Sequence, residues 1–332
     1  MMWRDVRGWG VVAVLMALGA VAGASGVGAA EPAAPGGALV VASGEINGTA
    51  YLEAGAVCRL ADRAAAGPGA GCLVQPTAGS AVDVALLHSG AAQLAVVQSR
   101  TLAEAFSGQG PFAATGAMPE LRALFSLHGE PVAVLLAANS KIKRPADLKG
   151  KRLNLGKPGS YQRSMADALL AAEGIRMEDL TSSLEMEPPR MVKALCDGQI
   201  DAAVITGLSP LADVQTALDD CDASLLPLRD AAITAFLNSH PAYVPLTLHA
   251  DDYQGLDADV PSFGLRAVLA TTTRLPDAEA YRIVKAVMGD TAALRSLHPL
   301  LRRLDRKDMA GQGLAVPPHD GALRYYKEKG LP

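Results

Sequence analysis

The sequence predicts an α/β fold in which strands and helices alternate. Half of the 332 residues are apolar, enough to bury a sizeable core. Short apolar runs recur between helical patterns at spacings typical of α/β proteins. Three of these runs end in a small-residue loop that opens a helix. They are Leu39-Val40-Val41-Ala42 before the loop from Ser43 to Thr49, Leu73-Val74-Gln75 before Pro76-Thr77-Ala78-Gly79-Ser80, and Leu153-Asn154-Leu155 before Gly156-Lys157-Pro158-Gly159-Ser160. Such joints present free backbone N–H groups at a helix start, where the helix dipole favours negative charge. Three of them suggest capture of a small anionic solute.

The N-terminus comes first in chain order. Arg4 and Arg7 form a short positive region, and Val11 to Ala22 is an apolar stretch of signal-peptide length. Gly28-Ala29-Ala30 fits a small-x-small cleavage site before Glu31. A signal peptide over 1–30, cleaved near Ala30, is expected, with a flexible leader over 31–37; an uncleaved anchor is the alternative. The mature chain is expected outside the cytoplasm. Trp3 and Trp9 both lie in the segment to be removed.

Beyond the leader, the helix over 50–66 stops at Gly67-Pro68-Gly69, and a helix over 80–89 stops at Gly90. Leu94 to Val97 is a strand, and Leu121 to Leu127 and Val132 to Ala137 read as two more. Lys143 to Lys151 reads as a short helix feeding a strand at 152–155. Helices are expected over 160–173, 188–196 and 208–219, and strands over 202–205 and 224–228. The Pro-, Tyr- and Asp-rich region 229–262 carries the weakest pattern. A strand over Leu265 to Thr271 and a helix over Asp277 to Met288 follow. The spacing of Leu87, Gly90 and Leu94–Val97 repeats in Leu195, Gly198 and Ala202–Ile205, which is compatible with two similar α/β lobes.

Charged residues make up 19% and the net charge is −4, so neither a basic stripe for nucleic acid nor a disordered acidic tail is present. The four cysteines, Cys58, Cys72, Cys196 and Cys221, are even in number in an exported chain, which points to disulfides. Of the three pairings, Cys58–Cys72 with Cys196–Cys221 closes the shortest loops. A zinc site is the rival reading, without a CxxC or a nearby His pair to support it. His88, His128, His240, His249, His298 and His319 are scattered and read as surface or structural. No Gly-x-Ser-x-Gly elbow or Walker-type loop is present. Gly67 to Gly71 follows a helix and precedes a strand, the wrong order for a nucleotide fingerprint. No catalytic residue, cofactor or metal is expected.

Taken together, the loop sequences resemble a family. Val41-Ala-Ser-Gly-Glu-Ile-Asn-Gly-Thr-Ala-Tyr51 is similar to the opening of TAXI-type solute receptors, the extracytoplasmic subunits of one class of tripartite ATP-independent periplasmic (TRAP) transporters. The match continues through Cys58-Arg59-Leu60, Thr77-Ala78-Gly79-Ser80, Val97-Gln98-Ser99, Ala146 to Arg152, Leu155 to Ser160, Ala194 to Ala202, Cys221-Asp222-Ala223 and Pro318 to Glu328. The resemblance implies a two-lobed, type II periplasmic-binding-protein fold with two inter-lobe crossings, near Val132–Ala138 and Ser262–Thr271. Residues 38–133 plus 264–332 would form lobe 1 and 134–263 lobe 2. It also implies a small organic anion, glutamate-like or a dicarboxylate, held between lobes that close by hinge motion, with a membrane permease as partner and a monomeric receptor.

Matched position by position, the implied ligand residues are Gly48, Thr49, Tyr51, Thr77, Gly79, Ser80, Gln98 and Ser99 in lobe 1, and Gly159, Ser160, Gly207 and Pro210 in lobe 2. Arg163, one turn into the third joint's helix, is added as a possible carboxylate clamp, with Lys157 beside it. Thr49, Thr77, Ser80 and Ser160 could equally cap their own helices, and Tyr51 could be a core aromatic. Three positions depart from the family pattern: Ala50 replaces an aromatic, Asp83 an Asn, and Arg100 an acid. A periplasmic sensor with the same lobes, or an exported enzyme on the scaffold, are the alternative functions.

Overall fold

The computed structural model describes residues 38–64 and 71–332. The expected signal segment, the leader and the Gly67-Pro68-Gly69 stop lie outside the described residues. In chain order the elements are β1 (Leu39–Ser43), α1 (Thr49–Arg63), β2 (Cys72–Pro76), α2 (Ser80–Ser89), β3 (Leu94–Gln98), α3 (Ser99–Ser107), β4 (Leu121–Leu136), β5 (Arg152–Asn154), α4 (Tyr161–Ala172), β6 (Ser182–Leu184) and α5 (Pro188–Cys196). They continue with β7 (Ala202–Thr206), α6 (Ala212–Cys221), β8 (Ser224–Leu225), α7 (Ala231–Ser239), β9 (Tyr243–Leu248), β10 (Val260–Thr272), α8 (Asp277–Gly289), α9 (Thr291–Ser296), α10 (Arg306–Gly311) and α11 (Asp320–Lys329).

The strands follow the order β2-β1-β3-β10-β4-β7-β5-β6, with β8 beside β4 and β9 beside β10. β1, β2 and β3 are mutually parallel, as are β5, β6 and β7. Between these parallel groups run β4 and β10, antiparallel to each other and long enough to serve both. The result is the two-lobed α/β architecture with two crossings that the family resemblance implies.

The inner strands of each half-sheet, β1, β3, β5 and β7, are mostly buried, which is why they read as continuous apolar runs rather than alternating ones. In the second half of β4, Val132, Val134 and Leu136 enter one core while Ala133 and Leu135 enter the other. In β10, Ala267 and Leu269 pack under α1 and α8, whereas Val268 and Ala270 pack under α2 and α3. This is the period-two alternation of a strand between two helical layers.

The two strands expected at 121–127 and 132–137 are one strand of 16 residues. His128-Gly129-Glu130-Pro131 reads as a break in sequence, because Pro removes a ladder donor. In the sheet, Pro131 pairs with Gly264 on the β10 side, and β7 joins the other side only from Val132. Pro131 therefore lies where one edge of β4 has no partner. The helix expected over 143–151 is only a 3-10 turn at Pro145–Leu148. Asp147 Oδ2 accepts from the Lys143 and Arg144 backbone N–H groups there and holds the segment as a tight turn.

Both local disulfides are formed. Cys58–Cys72 ties α1 to β2 across 14 residues, and Cys196–Cys221 ties the ends of α5 and α6 across 25. Loops of these lengths each contribute about 3 kcal/mol by the chain-entropy argument. His319 proves structural: its Nδ1 accepts from Gly321 N–H at 3.2 Å and caps α11.

Candidate functional site

Because β1, β2 and β3 are parallel, their C-terminal ends lie along one edge of the first half-sheet, and each leads into a helix. That edge faces the second lobe. Ser99 Oγ, at the head of α3, donates to Ala242 O at 2.7 Å, and Gln98 Nε2 donates to Glu130 Oε2 at 3.3 Å. The corresponding edge of the second half-sheet sends the loop after β5 into α4, whose first residue, Tyr161, lies beside the same Glu130. The cleft is thus bounded by strand C-termini and helix N-termini from both lobes, and β4 forms its floor. Ligands of open α/β sheets bind outside the carboxyl ends of strands in this way.

The helix starts on the two sides differ. α1, α2 and α3 begin after Gly48, Gly79 and Gln98, and none of these N-caps makes a side-chain capping bond. Apart from Val82 N–H, which donates to Gly79 O at 2.9 Å, their first-turn N–H groups are open to solvent or a ligand. At Gly79 the backbone takes φ 116°, a conformation open to glycine, and a side chain there would stand in open space. α4 supplies its own cap: Ser160 Oγ accepts from Arg163 N–H at 3.1 Å and donates to Lys157 O at 2.7 Å. Ser160→Ala is therefore expected to cost about 1 kcal/mol of stability, measured without ligand as a lowered urea midpoint. An unchanged midpoint would show that this cap contributes nothing.

The remaining candidates fall into two groups. Gly48, Thr49, Tyr51 and Gly79 sit at the uncapped starts of α1 and α2, and Gly159 and Gly207 turn the facing loops at φ 79° and 145°. The other hydroxyls are engaged within the protein. Thr77 Oγ1 donates to Asp83 Oδ1 at 2.6 Å and accepts from Gly79 N–H at 3.0 Å, which shapes the loop before α2. Ser80 Oγ accepts from Gln98 N–H at 3.1 Å, joining the starts of α2 and α3. Ser99 is buried, and its Oγ also accepts from Arg266 N–H at 3.2 Å. Arg163 turns along its own helix to Asp167 at 2.9 Å, and Lys157 pairs with Glu187.

The departures from the family pattern are placed as well. Asp83 is fully buried behind Thr77, and burial, opposed by the Thr77 hydrogen bond, pushes its carboxyl up to about 6. Arg100 pairs with Glu104 at 2.8 Å. Both line a cavity of about 480 Å³ between α3, α4 and α7, together with Ser164, Asp167, His240 and Tyr243.

On the cleft floor is a buried charge cluster that sequence reasoning missed. Glu53 of α1 reaches β4, where its Oε1 accepts from His128 N–H at 3.0 Å and lies 2.7 Å from His128 Nδ1. His128 Nε2 in turn lies 3.5 Å from Glu130 Oε1. Burial disfavours a charged imidazole, yet the Glu53 and Glu130 carboxylates outweigh it and push His128 up to about 10. For Glu130, burial acts to raise the carboxyl, but the hydrogen bond and charge of His128 hold it below the usual range. The signal was available in sequence as a Glu on the apolar face of the first helix and a His-x-Glu inside an apolar run.

Two lobes, two crossing strands and a cleft walled by helix N-termini define the architecture of periplasmic solute-binding proteins. A TctC solute-binding protein from Polaromonas shares it, with a TM-score of 0.54 at 16% identity over 90% of this chain and 97% of that one. The aliphatic sulphonate-binding protein SsuA from Escherichia coli aligns over 90% of this chain and 89% of its own at 17% identity, with a TM-score of 0.44. The chain belongs to the NMT1-like family, whose model matches residues 41–330.

Proposed function

We propose that this protein is the extracytoplasmic solute-binding subunit of a TRAP-type transporter of the TAXI class. It captures a small carboxylate between its lobes and delivers it to a membrane permease. In this reading an N-terminal signal peptide exports the chain, residues 38–133 with 264–332 form one jaw, and 134–263 form the other. The observation that carries the reading is the row of uncapped helix starts at Gly48, Gly79 and Gln98 along the edge that faces the second lobe. Their N–H groups and helix dipoles suit a carboxylate without a dedicated cation. Gly159 and Gly207 turn the opposing loops, and Gln98 and Tyr161 bring the two jaws to the common floor at Glu130.

A thermal-shift screen of the mature protein against amino acids, dicarboxylates and keto acids tests it. A solute present at 100 times its Kd is expected to add about 2.7 kcal/mol of stability. Stabilisation by neutral solutes only, with no response to any carboxylate, would refute the proposal.

A further inference from the structure

We propose that Arg302 and Arg303 of the first lobe form an electrostatic latch with Asp252 of the second, and that the latch is coupled to the cleft loop 207–210. Each side is fixed to its own lobe. The two arginines stand between Leu301 and Leu304, which are buried in the core under α1, α8 and α11. Arg295 Nε donates to Leu304 O at 2.7 Å and ties the segment down. Asp252 ends the 3-10 turn Ala250–Asp252, next to Tyr253 of the second lobe's core. Gln215 of α6 holds that stretch twice: it accepts from Gln254 N–H at 2.8 Å and donates to Gln254 O at 3.1 Å. From the first lobe, Arg302 and Arg303 both donate to Asp252 Oδ1, Arg303 at 3.2 Å, and Arg303 also pairs with Asp251.

The surroundings of Asp252 make the contact depend on where the lobes stand. Its side chain is 3% exposed, while both arginines remain partly open to solvent. An enclosed carboxylate needs a paired cation or water, so parting the lobes has to rehydrate Asp252 and the guanidiniums together. The attraction that opposes parting weakens as salt shortens the Debye length from about 10 Å at 0.1 M to about 3 Å at 1 M. The second carboxylate oxygen faces the cleft loop: Ser209 Oγ donates to Asp252 Oδ2 at 3.4 Å. Tyr253 places its Oη 3.0 Å from the same Ser209 Oγ and accepts from Leu211 N–H at 3.0 Å. This loop leaves the C-terminal end of β7, the cleft edge of the second lobe, and carries Gly207. A lobe movement that draws on Asp252 therefore draws on the loop. As a capture device the latch rests on reading the cleft as a solute site; the contact itself does not.

Two measurements on the mature protein without solute test it. Small-angle scattering of wild type is expected to give a larger radius of gyration in about 1 M than in about 0.1 M NaCl. Arg302→Gln/Arg303→Gln is expected to hold the larger value at both. Arg176→Gln, which removes an exposed pair with Glu178 inside the second lobe, is expected to behave as wild type. Hydrogen exchange reads the coupling: Leu211 N–H is expected to exchange roughly 10-fold faster in the double variant. Wild type indifferent to salt, or a double variant as compact as wild type at low salt, overturns the latch; the salt series needs no variant. Equal expansion in Arg176→Gln overturns it too, because loss of any surface charge would then suffice. Unchanged Leu211 exchange in an expanded double variant overturns the coupling to the cleft loop. Neither readout involves a solute, so a failed thermal screen would sink the receptor reading while the latch stands or falls on its own result.

Discussion

Replacing Glu53 by Ala is expected to destabilise the protein by about 3–5 kcal/mol, the cost of breaking a buried ion pair from one side. Glu53 occupies the face of α1 that also carries Val57, Leu60 and Ala61, and its side chain is inaccessible to solvent. Its carboxylate accepts from the backbone N–H of His128 and lies 2.7 Å from the ring Nδ1. Without it, an enclosed imidazolium would keep only the more distant Glu130, or would give up its proton and lose the pairing. The effect has a pH signature. His128 is raised from its ordinary value near 6.5 to about 10, so its stabilisation is complete below about pH 6.5 and is lost as pH rises through 10. Asp83 and Glu173 have the same sign in lower windows. Burial raises Asp83 from 3.8 to about 6, and burial with the neighbouring Asp230 raises Glu173 from 4.5 to about 7, so their contributions are lost by about pH 8. Urea midpoints at pH 8 and pH 9, above the Asp83 and Glu173 windows and below the range where the raised tyrosines begin to contribute, therefore isolate His128. Wild type is expected to weaken over that interval and Glu53→Ala to be nearly flat. A loss below about 1 kcal/mol at pH 7, or equal slopes in the two proteins, would show that the pair is not stabilising.

Local signals and long-range pairings were not equally legible. The alternation of strands and helices, the Gly90 stop and both disulfides follow from chemistry written within short stretches, and the structure carries them. Joints before α1, α2 and α4 could be located, but not their division of labour. Whether a Ser or Thr caps its helix depends on where its hydroxyl turns. Ser160 turns onto Arg163 N–H, whereas Ser80 turns away from its own helix to Gln98 N–H. The continuity of β4 was hidden because His128 to Pro131 contains a Gly and a Pro, which end strands in most settings. Only the register with β10, more than a hundred residues later, keeps the segment extended. The floor cluster was hidden for the same reason: Glu53 and His128 are 75 residues apart, and no local pattern joins them.

Gly264→Ala is expected to be nearly as damaging, at about 3 kcal/mol, although it adds one methyl group. Gly264 lies in β10 opposite Pro131 of β4 on one side and Val244 of β9 on the other. Its φ is not in the left-handed region, so room, not backbone freedom, demands glycine. A Cβ there would stand 2.0 Å from Glu130 O and 2.9 Å from Glu130 C. Backbone held by strands on both sides cannot yield without parting β4 from β10, and overpacking of this kind costs about 1–3 kcal/mol or more. Gly129→Ala is the control. Its Cβ would meet the terminal Cδ2 of Leu246 at 2.6 Å, which a rotamer change can relieve, so a loss under about 1.5 kcal/mol is expected. Denaturant midpoints of the two variants, read side by side, decide the matter. Should Gly264→Ala be no worse than Gly129→Ala, the crossing strands are more compliant than their spacing implies. If it is worse, the narrow approach of β10 to β4 is what holds Glu130 between the lobes.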